Sequence, residues 1–343
     1  MTRPADMVPI ALDAMGGDFA PAETVAGAIM AVKQGGVAIA LVGDPAALQA
    51  ELSKHAGAER LPIQVVPSEG VVSEGEHPAM AFRSKPKASV FVAAGAVKAG
   101  KAKAVVSMGS TGATIAAATV LFGTFEGIDR AALGGPLIGT APKTIIIDVG
   151  TNVECKARQL ADFAALGTVM SRLLDGVENP RVAILSVGAE EGKGNKLVLE
   201  TTPLLKQSGL NFIGNVEGHD LPFGKAEVVV CEGFSGNVVM KLTEGLGEAL
   251  AGDLRAQLKD KLSGDEVEKL ARRIFDLTNR VEAYGGGPLL GVKGVAVVGH
   301  GRAKAAAVAN AIQTARKAVV GGFVDEAAKE IARLRGKLGN GVA

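Results

Sequence analysis

An α/β fold with a mainly parallel sheet and helices on both faces is predicted by three observations. Short, continuously apolar runs alternate with helical patterns along nearly the whole chain. The joints between them are rich in glycine, which accounts for 46 of 343 residues. Aromatic residues make up only 3% of the chain and tryptophan is absent, so small aliphatic side chains must pack the helices against the sheet. Strands covered on both faces read as unbroken apolar runs, and βαβ alternation implies parallel pairing. The 48% hydrophobic content supplies a core for a single α/β domain over 1–343.

The elements follow in order. A first strand over 8–14 ends at the pair Gly16-Gly17, where glycine permits a tight turn or a close backbone approach to a ligand. Asp18 is placed to cap a helix over 22–33, with Pro21 suited to its first turn. Apolar runs at 37–42, 63–66 and 104–107 predict three more strands, and helical periodicity covers 89–98 and 111–121. Strands at 144–149, 182–187, 211–213, 227–230 and 295–298 complete the set, with helices over 159–174 and 303–319. In folds of this kind ligands bind beyond the carboxyl ends of the strands.

One region departs from the alternation. Leucines stand at 242, 246, 250, 254, 258 and 262. Each four-residue step turns ~400°, so the row creeps ~40° per step and sweeps ~200° in all. One flat contact cannot bury it. Ser263-Gly-Asp-Glu266 resembles a capping box opening a second helix with Val267, Leu270, Ala271, Ile274, Phe275 and Val281 inward. The hairpin over 242–281 reads as an internal feature, as a contact with a second subunit, or as a tip (Leu258, Lys259, Lys261, Leu262) that meets a membrane. The sweep favours the second reading.

The formal charge of +1 gives no general attraction to nucleic acid or to an acidic membrane, and the scarcity of aromatic faces argues against single-strand binding. The two cysteines, Cys155 and Cys231, have no metal-like spacing and fit a reducing, cytoplasmic setting. The start of the chain has no apolar signal-peptide core, and the longest apolar run, 113–122, falls far short of the ~20 residues that span a bilayer. A soluble or peripheral protein is expected.

Chemistry is expected at the glycine-lined strand ends. Ser107-Met-Gly-Ser-Thr-Gly-Ala113 carries a strand into a helix through small and hydroxyl residues, a ready anion site, although such loops are often plain turns. Ser107, Gly109, Ser110, Thr111 and Gly112 are the candidate phosphate ligands. Lys193 stands among glycines with Glu190 and Glu191 able to hold it, in what also reads as an ordinary surface loop. Asn237 either caps a helix or donates a hydrogen bond. His300 lies between glycines at a strand end, and Asp148 with Asn152 marks another such end.

Several motifs fail. Gly95-Ala-Val-Lys-Ala-Gly-Lys-Ala102 imitates a P-loop but has alanine where a hydroxyl should bind magnesium, and it leads from helix into strand. Gly233-Phe-Ser-Gly236 is one residue short of a nucleophile elbow, and no dinucleotide fingerprint follows the first strand. The four histidines lack zinc-ligand spacing. Neither a metal nor an organic cofactor is expected.

Taken together, the motifs resemble the bacterial phosphate acyltransferases of phospholipid synthesis, which convert acyl-[acyl carrier protein] and phosphate to acyl phosphate. The matching text is Asp13-Ala-Met-Gly-Gly-Asp18 with Ala20-Pro21, Ser107 with Thr111-Gly-Ala113, and Asp148-Val-Gly with Asn152. It continues through Gly188, Glu190-Glu191, Lys193-Gly-Asn195, Gly214-Asn215 and Glu217-Gly218. It closes with Gly233-Phe, Gly236-Asn237, Tyr284-Gly-Gly, Pro288-Leu-Leu-Gly291, His300-Gly301 and Asn310-Ala-Ile312. Met108, Ser110, Glu154, Glu232, Gly287 and Arg302 depart from the commoner choices, though a hydroxyl at 110 can still bind an anion.

The resemblance implies a Rossmann-like fold akin to phosphotransacetylases and isopropylmalate-type dehydrogenases, a homodimer, and loose attachment to the inner face of the cell membrane. It also implies a membrane acyltransferase downstream that moves the acyl group to glycerol 3-phosphate. Phosphate is expected in the loop 107–113, with Lys193 offsetting its charge and Asn237 and His300 donating to the thioester oxygen. Asp13, Gly16, Gly17, Asp18, Asp148 and Asn152 are expected to line the substrate cleft. A phosphotransacetylase acting on acyl-CoA and a non-catalytic scaffold for lipid-synthesis enzymes are the competing readings.

Overall fold

The computed structural model describes residues 7–280 and 284–339, so Val281 lies outside the described residues. The chain forms two compact units, Met1–Ala131 with Tyr284–Ala328, and Ala132–Ala283 with Lys329–Ala343.

The first unit contains β1 (Val8–Asp13), α1 (Ala22–Gln34), β2 (Val37–Gly43), α2 (Pro45–Leu52), β3 (Ile63–Pro67), α3 (Pro78–Ser84) and α4 (Ser89–Lys98). It continues with β4 (Ala104–Ser107) and α5 (Thr111–Phe122). Its strands run in the order β3-β2-β1-β4, all parallel. The chain builds outward from β1 to β3 and then returns to the other side of β1. That reversal puts the ends of β1 and β4 side by side, with Asp13 in register with Ser107, which is where an open α/β sheet forms a crevice.

The second unit contains β5 (Ala132–Pro136), β6 (Ile145–Ile147), α6 (Ala157–Asp175), β7 (Val182–Leu185), α7 (Lys196–Gln207) and β8 (Phe212–Val216). These are followed by β9 (Val228–Val230), α8 (Gly233–Leu258) and α9 (Gly264–Thr278). β6, β9, β7 and β8 lie side by side and parallel, and β5 pairs antiparallel with β6. The chain then returns to the first unit with β10 (Gly287–Leu290), β11 (Val295–Val298) and α10 (Ala305–Val320), and ends in α11 (Phe323–Leu338). β11 is parallel to β4, and β10 is antiparallel to β11.

The α/β architecture is therefore as expected, and most strands are buried on both faces. β4, β6, β9 and β11 have no exposed residue, which explains their unbroken Val/Ile/Ala text. The two antiparallel strands, β5 and β10, escape sequence reading because glycine and proline are poor strand formers. Glycine is there for packing: a Cβ on Gly134 would lie 2.4 Å from the Ile147 side chain.

The hairpin has the expected helices, and the capping box is present: the Ser263 hydroxyl accepts from the Glu266 amide while the Glu266 carboxylate accepts from the Ser263 amide. The packing differs from the expectation. Gly247 and Ala251 of α8 are buried, and a Cβ on Gly247 would run into Thr278 of α9. Small residues thus bring the helices together, with Val267 and Ala271 inward and Leu270 turned out. Leu242, Leu246 and Leu250 remain 67%, 52% and 45% exposed on the outer face of α8. Among the described residues, no helix is long and apolar enough to cross a membrane.

Candidate active site

Three strand ends of the first unit are knitted into one loop cluster. Ser107, fully buried, donates its hydroxyl proton to Asp13 Oδ2 at 2.7 Å and accepts from the Gly109 amide at 3.0 Å. The Gly299 amide donates to the Ser107 carbonyl, and the Asp18 amide donates to the Gly301 carbonyl at 2.7 Å. The close approaches demand glycine. A Cβ on Gly16 would fall 2.4 Å from Asp13 Oδ2, and Gly17 has φ +106° against Met108. A Cβ on Gly299 would strike the Met108 sulfur, so the unusual methionine fills the space beside that glycine. Burial pushes the Asp13 carboxyl above the usual carboxylate range, while the Ser89 and Ser107 hydroxyls and the Met15 and Gly16 amides pull it partly back.

Above this cluster α5 begins. Ser110 is its N-cap, accepting from the Ala113 amide at 3.3 Å, so serine here performs a cap's work. The helix ladder leaves the first amides, those of Thr111 and Gly112, without an intrahelical acceptor, and Thr111 is exposed. Those amides and the positive end of the helix dipole leave an electropositive helix start suited to an anion, and the Ser107 hydroxyl, committed on both sides, lies beneath it. His300 is half-buried in the same unit, directly after β11, with its carbonyl accepting from the Ala303 amide. Asp18 does not cap α1 as its spacing suggested. Pro21 occupies that position, and Asp18 is drawn instead to Gly301.

The second unit organises a different turn at the end of β6. Asp148, fully buried, accepts from the Gly150 and Thr151 amides through Oδ1 and from the Asn152 amide and Nδ2 through Oδ2, the last two at 2.7 Å. Burial raises this carboxyl too, and the four donors oppose the shift. Gly233 donates to the Asn152 carbonyl, locking the start of α8 to the turn. A Cβ on Gly236 would lie 1.8 Å from the Asp148 carbonyl oxygen, and one on Gly150 would lie 3.3 Å from Asn237 Nδ2. The cap of α8 is Glu232, which accepts from the Ser235 amide, so Asn237 is left half-buried beside Gly150 with its amide available as a donor. Burial drives the Cys231 thiol well above its ordinary value.

Lys193 lies in the exposed loop between β7 and α7. Glu191 does not hold it, because that carboxylate pairs with Lys206. The loop takes its shape from Asn215, whose Nδ2 donates to the Gly188, Glu190 and Lys193 carbonyls at 3.1, 2.9 and 3.0 Å. Asn215 was visible only as part of the family text, since its partners lie more than twenty residues earlier. The structure thus groups Asp13, Gly16, Gly17, Asp18, the 107–112 loop and His300 in the first unit. It groups Asp148, Asn152 and Asn237 in the second, with Lys193 on a separate loop of that unit. Among the described residues the only cluster of metal-type donors is Glu217, His219 and Asp220, where the Asp220 carboxylate already accepts from the Glu217 amide and Lys225.

A family profile described as "Fatty acid synthesis protein" matches residues 8–326. A phosphate acyltransferase of Elusimicrobium minutum is 42% identical over 329 residues, covering 95% of this chain and 96% of its own. One from Heliobacterium modesticaldum is 43% identical over 322 residues, covering 92% and 95%. The chain belongs to the phosphate acyltransferase family. Phosphate acyltransferases are enzymes, and the site geometry should be understood in those terms. A phosphotransacetylase from Streptococcus pyogenes superposes with a TM-score of 0.63 at 15% identity, covering 92% of this chain and 94% of that one. The EutD phosphotransacetylase of Staphylococcus aureus gives 0.57 at 18% identity with the same coverage. These two show that the fold is shared.

Proposed function

We propose that this protein transfers a fatty acyl group from acyl-[acyl carrier protein] to inorganic phosphate, giving acyl phosphate for phospholipid synthesis. The observation that carries the reading is identity of 42% or more with phosphate acyltransferases across almost the full length of both chains. The geometry supports it. A phosphate oxygen attacks the thioester carbonyl carbon, a tetrahedral oxyanion forms, and the carbon–sulfur bond breaks to release a thiolate. Phosphate is already anionic at neutral pH, and a thiol ionises near ~8.5, so neither attack nor departure needs a strong base or acid. The reaction needs positioned anions and donors for the oxyanion.

In this reading the Thr111 and Gly112 amides at the start of α5 bind phosphate, with Gly109 and Ser110 shaping the loop and Ser107 and Asp13 supporting it. Lys193 offsets the anionic charge. Asn237 Nδ2 and His300 donate to the thioester oxygen, and the Asp148–Asn152 turn holds the ground beneath Asn237. The exposed leucines of α8 form a homodimer contact, and the hairpin tip meets the inner face of the membrane, where a glycerol-3-phosphate acyltransferase consumes the product.

The test is hydroxylamine trapping of acyl phosphate, with one fatty acyl group presented on acyl carrier protein or on coenzyme A. Phosphate-dependent product, formed faster from the carrier protein, is expected. Preference for coenzyme A favours a phosphotransacetylase-like enzyme, and no product from either donor favours a scaffold. Lys193→Ala should lower turnover by ~100-fold or more with the fold intact, as expected for loss of a charge-stabilising group. Near-normal turnover removes Lys193 from the mechanism.

A further inference from the structure

We infer that a cleft beside the Asp148 turn holds the apolar chain of the acyl donor, an assignment that rests on the acyl-transfer reading above. The cleft lies wholly within the second unit, at the N-terminal turns of α6, α7 and α8, with a volume of about 1080 Å³. Val153, Cys155, Ala157, Leu197, Leu204 and Phe234 line it. Val153 and Phe234 are 61% and 62% exposed although each adjoins tightly ordered backbone. A concave, mainly apolar surface of this size is typical of a small-molecule site.

The charges at its edge balance, with Lys156, Arg158 and Lys196 set against Glu154, Glu200 and Glu232. Lys196 stands 3.8 Å from Glu200, Glu232 caps α8, and Arg158 donates to the Gly339 carbonyl at 3.1 Å. Lys156 and Glu154, two residues apart, are of opposite sign. No surplus of one charge remains to draw an ion, so the bare apolar wall is what the cleft offers a ligand.

The wall also runs out of the reaction turn itself. Val153 directly follows Asn152, which bonds Asp148 through two nitrogens. Phe234 precedes Asn237 by about one helical turn on α8. An acyl chain lying on Val153 and Phe234 is thus one residue along the polypeptide from Asn152 and about one helical turn from Asn237. Chain length is then read by how much of this wall the methylenes cover, with affinity rising up to ~4-fold per methylene.

Cys155 provides the probe, because it is part-exposed in the cleft while Cys231 is 3% exposed. The full chain is treated with a maleimide in the presence of palmitate or acetate, palmitate being kept below its micellar concentration. Saturating palmitate should slow alkylation of Cys155 by ~10-fold, and acetate should not change it. Equal alkylation with the two acids overturns the assignment. The acyl phosphate assay separates the two ideas. Product from a palmitoyl thioester without protection of Cys155 overturns the cleft alone, whereas protection without product from any thioester overturns the acyl-transfer reading on which it rests.

Discussion

Asp13 and Asp148 occupy matching places in the two units. Each stands at the carboxyl end of a buried parallel strand, each is at most 2% exposed, and burial raises the carboxyl of both. Their surroundings differ. All the oxygen lone pairs that Asp148 directs into its turn are met by donors from residues 150–152. Asp13 has one short hydrogen bond, from Ser107 on the neighbouring strand, with weaker support from the Ser89 hydroxyl and the Met15 and Gly16 amides. One carboxylate folds its own loop and the other clips two strands together beneath the start of α5. The same residue at the same place in a strand therefore performs two different structural jobs, and substitutions should tell them apart.

The largest effect is expected at Asp148. Asparagine there turns an amide NH₂ toward backbone donors, leaving at least two without an acceptor. Asp148→Asn should cost about 3 kcal/mol or more in urea unfolding. An unchanged midpoint contradicts the role assigned to its four hydrogen bonds. Next come the glycines that abut the two aspartates. Gly236→Ala meets the Asp148 carbonyl oxygen at 1.8 Å, part of a fixed backbone, whereas Gly16→Ala meets Asp13 Oδ2 at 2.4 Å and the Gly109 backbone nitrogen at 2.8 Å, both looser approaches. The first should cost about 3 kcal/mol and the second about 1–2 kcal/mol, compared by the same unfolding curves. The reverse order would mean the second turn is the more yielding.

Ser107→Ala removes the donor to Asp13 and the acceptor of the Gly109 amide, for about 1–2 kcal/mol. The smallest effect belongs to Asp13→Asn, about 1 kcal/mol or less, because an amide oxygen can still accept from Ser107. Its sign depends on pH. A carboxyl raised above its ordinary value of 3.8 stabilises the fold most while protonated, and that contribution is lost as pH rises through the raised value. Wild type should therefore lose ground to Asp13→Asn as pH rises from below 3.8, measured by unfolding at a series of pH values. A gap that widens in favour of wild type with rising pH would show that Asp13 is stabilised as the anion.

The strand ends were legible because buried parallel strands spell continuous apolar runs and stop at glycine. What escaped the sequence depends on partners far along the chain. Asp18 has the spacing of a helix cap, but the Gly301 carbonyl, nearly three hundred residues away, takes its amide. The cap of α8 went to Glu232 because the helix begins at Gly233, one turn earlier than Asn237 would require. Asn215 shapes the Lys193 loop through three carbonyls that no local pattern reveals. The leucine row keeps Leu242, Leu246 and Leu250 exposed on α8. Its outward face could not be foreseen, because Gly247 and Ala251 let α9 dock on the opposite side.

The most direct test of the whole account is the steady-state release of thiol from a fatty acyl thioester, with phosphate and thioester varied independently. Wild type should release thiol only with phosphate present. Ser110→Ala, which removes the cap of the helix proposed to bind phosphate, should raise the KM for phosphate by ~10-fold and leave the thioester KM in place. Asn237→Ala, which removes a proposed oxyanion donor, should lower kcat by ~100-fold with the phosphate KM unchanged. Thiol release that ignores phosphate, or two variants that shift the same constant, would contradict the division of labour between the α5 loop and the Asp148 turn.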